Sequence, residues 1–320
     1  MKKSLSKYEL ILRPPNIWRY RELLPYKLTA DIVSLGEMLT PLIEMPLTAR
    51  RFGGTSLLVK DEGRMPTASF KARGIAMAVT MAKSFGIKRI AIPTAGNAGA
   101  ALAAYATRAG IEAYVFTPED TPEVTLKEIA FHGAKTFRVK GLIDTCGKVV
   151  SGGREEMGWF DMSTLKELYR IEGKKTMGFE IAEQLGWSLP DVIFYPTGGG
   201  TGIIAMWKAF KELKEIGWIQ GPLPRMVAVQ TTGCAPIVHA FENGSDSVPQ
   251  PWNPVKTNVH GVRVPKPLGD KLILRTIRES DGFAIAVEDF EVEESRLETA
   301  RETGLHLCPE GSACLVAYEK

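Results

Sequence analysis

Ser69-Phe70-Lys71-Ala72-Arg73-Gly74 puts a lysine on the first turn of a helix that opens just after Pro66. Ser69 is placed to cap that helix, so the positive end of the helix dipole lies beside the amine and disfavours its protonated form. A neutral amine attacks carbonyl carbon, which makes Lys71 a candidate for covalent chemistry. Equally, Lys71 is one of 40 basic residues and could sit on a solvated face. The hexapeptide alone favours the solvated face.

Two stretches downstream bear on the choice. After a turn at Gly86, Arg89-Ile90-Ala91-Ile92-Pro93 reads as a short buried strand. It feeds Thr94-Ala95-Gly96-Asn97-Ala98-Gly99, which opens an alanine-rich helix ending at Gly110. Such a turn lets backbone N–H groups approach an anion such as a carboxylate, and the Asn97 amide can donate to or accept from a ring hydroxyl. Ordinary strand-to-helix punctuation would look the same. A second strand, Asp191 to Pro196, runs into Thr197-Gly198-Gly199-Gly200-Thr201-Gly202, with a helix predicted from Ile203 to Ile216. Glycines at a helix mouth permit positive φ and close backbone approach, so successive N–H groups can converge on a phosphate. A P-loop would need Gly-Lys-Ser/Thr, and the dinucleotide fingerprint a glycine where Ile203 stands. The loop therefore suggests a phosphate without a nucleotide.

Lysine, asparagine turn and glycine loop, in that order, resemble the pyridoxal-phosphate enzymes of the tryptophan-synthase-β fold type (fold type II). Within them the chain is most similar to the threonine-synthase family. Ile17 to Pro25, Val33 to Leu42, Thr164 to Thr176, Gly261-Val262-Arg263-Val264-Pro265-Lys266-Pro267-Leu268-Gly269-Asp270 and Pro309-Glu310-Gly311-Ser312-Ala313 carry the likeness over nearly the whole chain. The resemblance implies pyridoxal 5'-phosphate as cofactor, joined as an imine to Lys71, with Asn97 at the pyridine 3′-oxygen and Gly198, Gly199, Gly200, Thr201 and Gly202 on the phosphate. It implies conversion of O-phospho-L-homoserine and water to L-threonine and phosphate, with Lys71 also moving protons. Thr94 and Ala95 would hold the substrate carboxylate. Arg170 with Ser163 or Thr164 would take the departing phosphate, since a guanidinium binds phosphate through two points, and Lys175 is a further candidate.

Each substrate role has a structural rival. Arg170 could pair with Glu167 or Glu172 on a helix surface, Ser163, Thr164 and Thr94 could be helix caps, and Lys174 reads as a surface residue. A serine or threonine dehydratase would share the lysine and the loop but have no reason to keep a phosphate pocket. Ala95 and Ala98 stand where many relatives place hydroxyl residues. In the family the partner of the pyridine nitrogen lies beyond the Pro-Glu-Gly-Ser-Ala motif, after which only Cys314 to Lys320 remain here, so a non-catalytic scaffold or fragment of the same fold is a third reading.

Composition is compatible with these readings. With 320 residues, 44% apolar content and a net charge of +3, the chain can bury one large core or two moderate ones, and no dense basic run with interleaved aromatics points to nucleic acid. A small anionic amino-acid substrate is the expected partner, and by resemblance a homodimer the expected assembly. No apolar h-region follows Met1 to Lys7 and no run nears ~18 apolar residues, so the expectation is a cytoplasmic protein without a membrane partner. Cys146, Cys234, Cys308 and Cys314 form no C-x-x-C pair, which predicts reduced thiols and no metal site. The zinc ribbon of some relatives is missing. His132, His239, His260 and His306 stand in no metal or triad spacing, and neither G-x-S-x-G nor H-E-x-x-H occurs.

Alternating strands and helices predict an α/β fold with parallel-rich sheets flanked by helices. The smaller sheet would use Ile90 to Pro93, Glu112 to Phe116, Thr136 to Val139 and Gly158 to Asp161, with helices from Asn97, Pro122 and Leu142 between them. The larger would use Thr55 to Lys60, the strand before the glycine loop, Met226 to Gln230 and Phe283 to Val287. The predicted domains are a discontinuous cofactor-binding domain of residues 1–86 and 166–320 around a small α/β insert of residues 87–165. Helix Gly173 to Leu185 would bury Met177, Ile181 and Leu185, and Asn243 to Pro254 reads as an exposed connection.

Overall fold

The computed structural model describes residues 5–26, 31–94 and 96–320. It divides into two compact units, Met1–Pro41 with Asp61–Glu180 and Leu42–Lys60 with Ile181–Lys320. The divisions therefore fall at 41/42, 60/61 and 180/181, not at the expected 86/87 and 165/166. Residues 61–86 group with the smaller sheet because helix Lys71–Ser84 packs against the alanine-rich helix Asn97–Ala109, and because it meets helix Tyr169–Gln184 at glycine contacts. A Cβ on Gly74 would stand 2.5 Å from the Arg170 carbonyl, and one on Gly173 would stand 2.2 Å from that of Arg73.

In the first unit four parallel strands run in the order Lys135–Val139, Glu112–Pro118, Arg89–Pro93, Phe160–Asp161. Ile90, Ala91 and Ile92 are fully buried, as a central parallel strand covered on both faces requires. From Arg89–Pro93 the chain builds outward through two neighbours, then returns to pair Phe160–Asp161 on the other side, where Met162 N–H donates to the Ala91 carbonyl (2.8 Å). The order thus reverses between Arg89–Pro93 and Phe160–Asp161. Crevices beyond the carboxyl ends of strands at such a reversal are where open α/β sheets bind ligands, and those two ends feed Thr94–Asn97 and Ser163–Thr164. Between the strands run helices Asn97–Ala109, Glu123–Phe131 and Ile143–Gly152. Pro122 is the residue before its helix rather than the first one in it. Gly110 stops the alanine-rich helix in the left-handed conformation.

The second unit holds three parallel strands, Val192–Pro196, Arg225–Thr231 and Ala284–Val287, in that order. Thr55 to Lys60 does not join them. Only its last three residues, Leu58–Lys60, form a strand, which pairs antiparallel with Leu42–Glu44. Helix Pro309–Glu319 is only 11 residues long and owes its stability to packing. Ala313, Val316 and Ala317 close a core with Val227, Val229, Val259, Val262, Val287 and Val292. Asn243 to Pro254 is a largely exposed connection, with Val248 turned inward. Among the described residues no helix is long and apolar enough to cross a membrane, and no cluster of His, Cys, Asp and Glu could hold a metal.

Candidate active site

Lys71 is the first residue of helix Lys71–Ser84. Its N–H donates to Ser69 Oγ (3.3 Å), so Ser69 satisfies one of the helix's open donors from outside the formal cap position, which Phe70 occupies. The half-buried amine lies 3.7 Å from the centre of the Phe70 ring, whose face attracts a cation. Two residues on, Arg73 is fully buried and bonded to the carboxylates of Glu62 and Glu180. Burial opposes its charge, but the attraction of Glu180 and Glu62 outweighs it and holds its pKa well above the ordinary arginine value.

At the sheet reversal, Thr94 Oγ1 accepts from Gly96 N–H (3.0 Å) and Gly99 N–H (3.2 Å). Its hydroxyl thus serves the cap that was its rival reading. Ala95 lies outside the described residues. Gly96, at φ 152° and ψ −102°, occupies backbone space open essentially to glycine alone. Asn97 opens helix Asn97–Ala109 with an exposed side chain, which leaves its amide accessible to a ligand. From the neighbouring strand, Ser163 donates both its N–H (2.9 Å) and its hydroxyl to Asp161, and Lys166 reaches the same carboxylate (3.0 Å). Burial works against the Asp161 charge, yet the bonds from Ser163 and Lys166 prevail and keep its pKa below the usual carboxylate range. Thr164 is half-buried beside it.

Arg170 is not a surface residue. It is buried, with Nη1 donating to the Met162 carbonyl (2.7 Å), while Nε has no hydrogen-bond partner among the described residues. Burial lowers its pKa to about 10 against the pull of Glu167 and Asp161. Glu167 is the cap of this helix, accepting from the N–H groups of Tyr169 (2.9 Å) and Arg170 (2.8 Å). Lys174, expected on the surface, is fully buried. It donates to the Arg170 carbonyl (3.3 Å) and fills the space that a side chain at Gly74 would take, 2.6 Å from that Cβ position. Lys175 is buried and paired with Glu172 (2.7 Å). Thus Lys71, Arg170 and Lys174 share one neighbourhood with Phe70, which Lys174 approaches to 5.9 Å.

In the second unit the glycine loop leaves strand Val192–Pro196 and enters helix Thr201–Glu215, two residues earlier than the expected start at Ile203. Of its glycines only Gly200 has positive φ, at 72°. Gly198 and Gly202 answer crowding instead: a Cβ on Gly198 would stand 2.5 Å from the Gly261 carbonyl, and one on Gly202 would run into Tyr195 Oη. The Gly261 N–H donates in turn to Glu310 (2.7 Å), so Gly-Val-Arg-Val-Pro, Pro-Glu-Gly-Ser-Ala and the glycine loop pack on one another. The helix starts with no side-chain cap. Its first N–H groups have no acceptor within the helix and carry the positive end of the dipole, the arrangement that binds a phosphate. Taken by itself, the loop of the second unit fits a phosphate group, and the first unit by itself presents the Lys71 amine at a helix start. Arg73 and Glu310 carried no local signal in the sequence, since their partners Glu62, Glu180 and Gly261 lie on other elements.

The chain matches the model of the family described as pyridoxal-phosphate dependent enzyme over residues 33–320. The threonine synthase of Methanocaldococcus jannaschii is 36% identical over 323 residues, spanning 100% of this chain and 78% of its own length. That of Methanosarcina acetivorans is 35% identical, spanning 96% of this chain and 75% of its own. Among solved structures, maize serine racemase superposes with a TM-score of 0.77 at 20% identity, covering 96% of this chain and 87% of that one. The processed form of threonine deaminase isoform 2 from Solanum lycopersicum does so with a TM-score of 0.73 at 19% identity, covering 96% and 86%. Those two likenesses bear on the fold, which is fold type II. Sequence match and fold agree, and the chain belongs to the pyridoxal-phosphate dependent enzymes.

Proposed function

We propose that the chain is a threonine synthase, a pyridoxal-phosphate dependent carbon–oxygen lyase that turns O-phospho-L-homoserine and water into L-threonine and phosphate. The observation that carries this is the 36% identity to a threonine synthase along the whole of the chain. Bound pyridoxal phosphate supplies an electron sink for negative charge developing on the substrate's carbon atoms. Lys71 anchors the cofactor and then carries protons to and from those carbons. The amides of Gly198, Gly199, Gly200, Thr201 and Gly202 hold the cofactor phosphate, and Asn97 meets the ring oxygen. The Thr94–Ala95 turn receives the substrate carboxylate. Thr164 offers a hydroxyl to the substrate phosphate, Ser163 can do so only by exchanging its bond to Asp161, and Arg170 offers the Nε donor that lacks a partner among the described residues. A cytoplasmic setting agrees with four cysteines that form no disulfide, and the reading includes a homodimer, which sedimentation measures directly.

The test is to load the chain with pyridoxal phosphate and offer O-phospho-L-homoserine and L-threonine separately. Phosphate release from the first, abolished by Lys71→Ala, is expected. Ammonia from threonine with no phosphate from the other substrate would replace this reading with a dehydratase, and neither product would leave the scaffold reading.

A further inference from the structure

Lys71 is delivered by a loop whose backbone runs against the preferences of its residues. Thr67 (φ 58°) and Ala68 (φ 49°) are consecutive residues in the left-handed region, and among the described residues no other adjacent pair free of glycine shares that state. Such conformations persist only where the surroundings over-determine them, and they gather at functional sites. Here the surroundings are visible. Upstream of the turn stands Glu62 and downstream, two residues past the lysine, stands Arg73. The Arg73 guanidinium forks onto Glu62 through Nε (2.7 Å) and Nη2 (2.8 Å), so a side-chain bridge closes the loop at its base. The other edge of the guanidinium is held by Glu180 (2.5 and 2.7 Å), Thr176 (3.0 Å) and Thr40 (3.1 Å). Every nitrogen of this fully buried group is engaged, and it cannot swing without abandoning charged bonds in a water-free place. Inside the closed loop the Ala68 N–H donates to the Met65 carbonyl (2.9 Å) and the Ala72 N–H to that of Ser69 (3.1 Å).

We propose that Arg73 is a positioning residue for Lys71: its fork onto Glu62 closes the loop, holds the Thr67–Ala68 turn in its strained form and so fixes the direction in which the Lys71 amine leaves the helix. The inference rests on the reading that Lys71 carries the cofactor. A clamp that merely held two helices together would have no need of a strained turn between its bonding partner and the lysine. Orientation is where the benefit lies, because an amine misplaced by about 1 Å loses up to about a hundred-fold in rate.

The experiment resolves pyridoxal phosphate from the holoenzyme, times its recapture by borohydride trapping, and locates the trapped lysine by peptide mass. Three variants are compared: Ala68→Gly, Arg73→Lys and Glu62→Gln. Ala68→Gly removes the strain and leaves both the turn and the fork in place, so it should melt no lower than the parent and trap on Lys71 at the parental rate. Arg73→Lys keeps the charge but loses the fork, and should slow trapping about ten-fold and lower kcat with KM little changed, whereas Glu62→Gln, which keeps an acceptor, should lie between it and the parent. Parental trapping rate and kcat in folded Arg73→Lys would overturn the proposal, and Glu62→Gln, read the same way, decides if Arg73→Lys does not fold. A trapped lysine other than Lys71 in the parent would overturn the reading beneath it.

Discussion

Lys174 has no exposure to water, and its amine donates to the Arg170 carbonyl. Burial, then the charges of Arg170 and Lys71, push its pKa well below the ordinary lysine value, with Glu167 opposing only weakly. The sign of the consequence follows from linkage. Because its folded pKa lies below its unfolded one, keeping Lys174 costs stability at pH values below the unfolded pKa. The cost shrinks as pH rises from the folded pKa toward the unfolded one. Replacing a buried charge site by a hydrophobic residue of similar length is often stabilising by about 1–4 kcal/mol. Lys174→Met should therefore raise the urea midpoint at pH 7, with the advantage fading near pH 10. Denaturation curves at the two pH values check this, and a midpoint that falls at pH 7 would mean that the amine is charged and paired.

At the scale of elements, the glycine loop is set by what presses on it. Gly198 has ordinary φ, yet a methyl group there would enter the carbonyl of Gly261, a segment tied down by Glu310. Backbone cannot yield as a side-chain tip can. Gly198→Ala should thus displace the amides that open helix Thr201–Glu215 and weaken pyridoxal-phosphate affinity by at least about ten-fold, or roughly 1.4 kcal/mol. The exposed Gly186, which has nothing near its Cβ position but positive φ, separates the effects: Gly186→Ala should cost about 1 kcal/mol of stability and leave affinity alone. A fluorescence titration of both variants reads the difference. Equal affinity in Gly198→Ala would show that the loop does not hold the phosphate.

Across the whole molecule, the sequence was legible wherever a signal sits on neighbouring residues. The buried run Ile90 to Ile92, the glycine after the alanine-rich helix and the strand-turn-helix at Gly198 each announce themselves within a few positions. The Arg73 bonds to Glu180 span 107 positions, and the Lys174 burial depends on a glycine of another helix, so neither could be read along the chain; nor could the unit boundaries, which follow those same long contacts rather than any shift in composition. The end of the chain tests the same logic. Helix Pro309–Glu319 is too short to hold its shape unaided, yet its Ala313, Val316 and Ala317 complete the valine core of the second unit, and its Glu310 holds Gly261. Each valine uncovered forfeits up to about 1.5–3 kcal/mol, so ending the chain at Cys308 removes a large part of a typical domain's ~5–15 kcal/mol. The first unit has a separate core of Ala91, Tyr114, Phe116, Cys146, Val150 and Trp159, which the truncation does not touch. Hydrogen exchange on the shortened chain should accordingly show lost protection over Val192–Pro196, Arg225–Thr231 and Ala284–Val287 and retained protection over Arg89–Pro93 and Glu112–Pro118. Protection lost equally in both sets would mean that the two cores unfold as one.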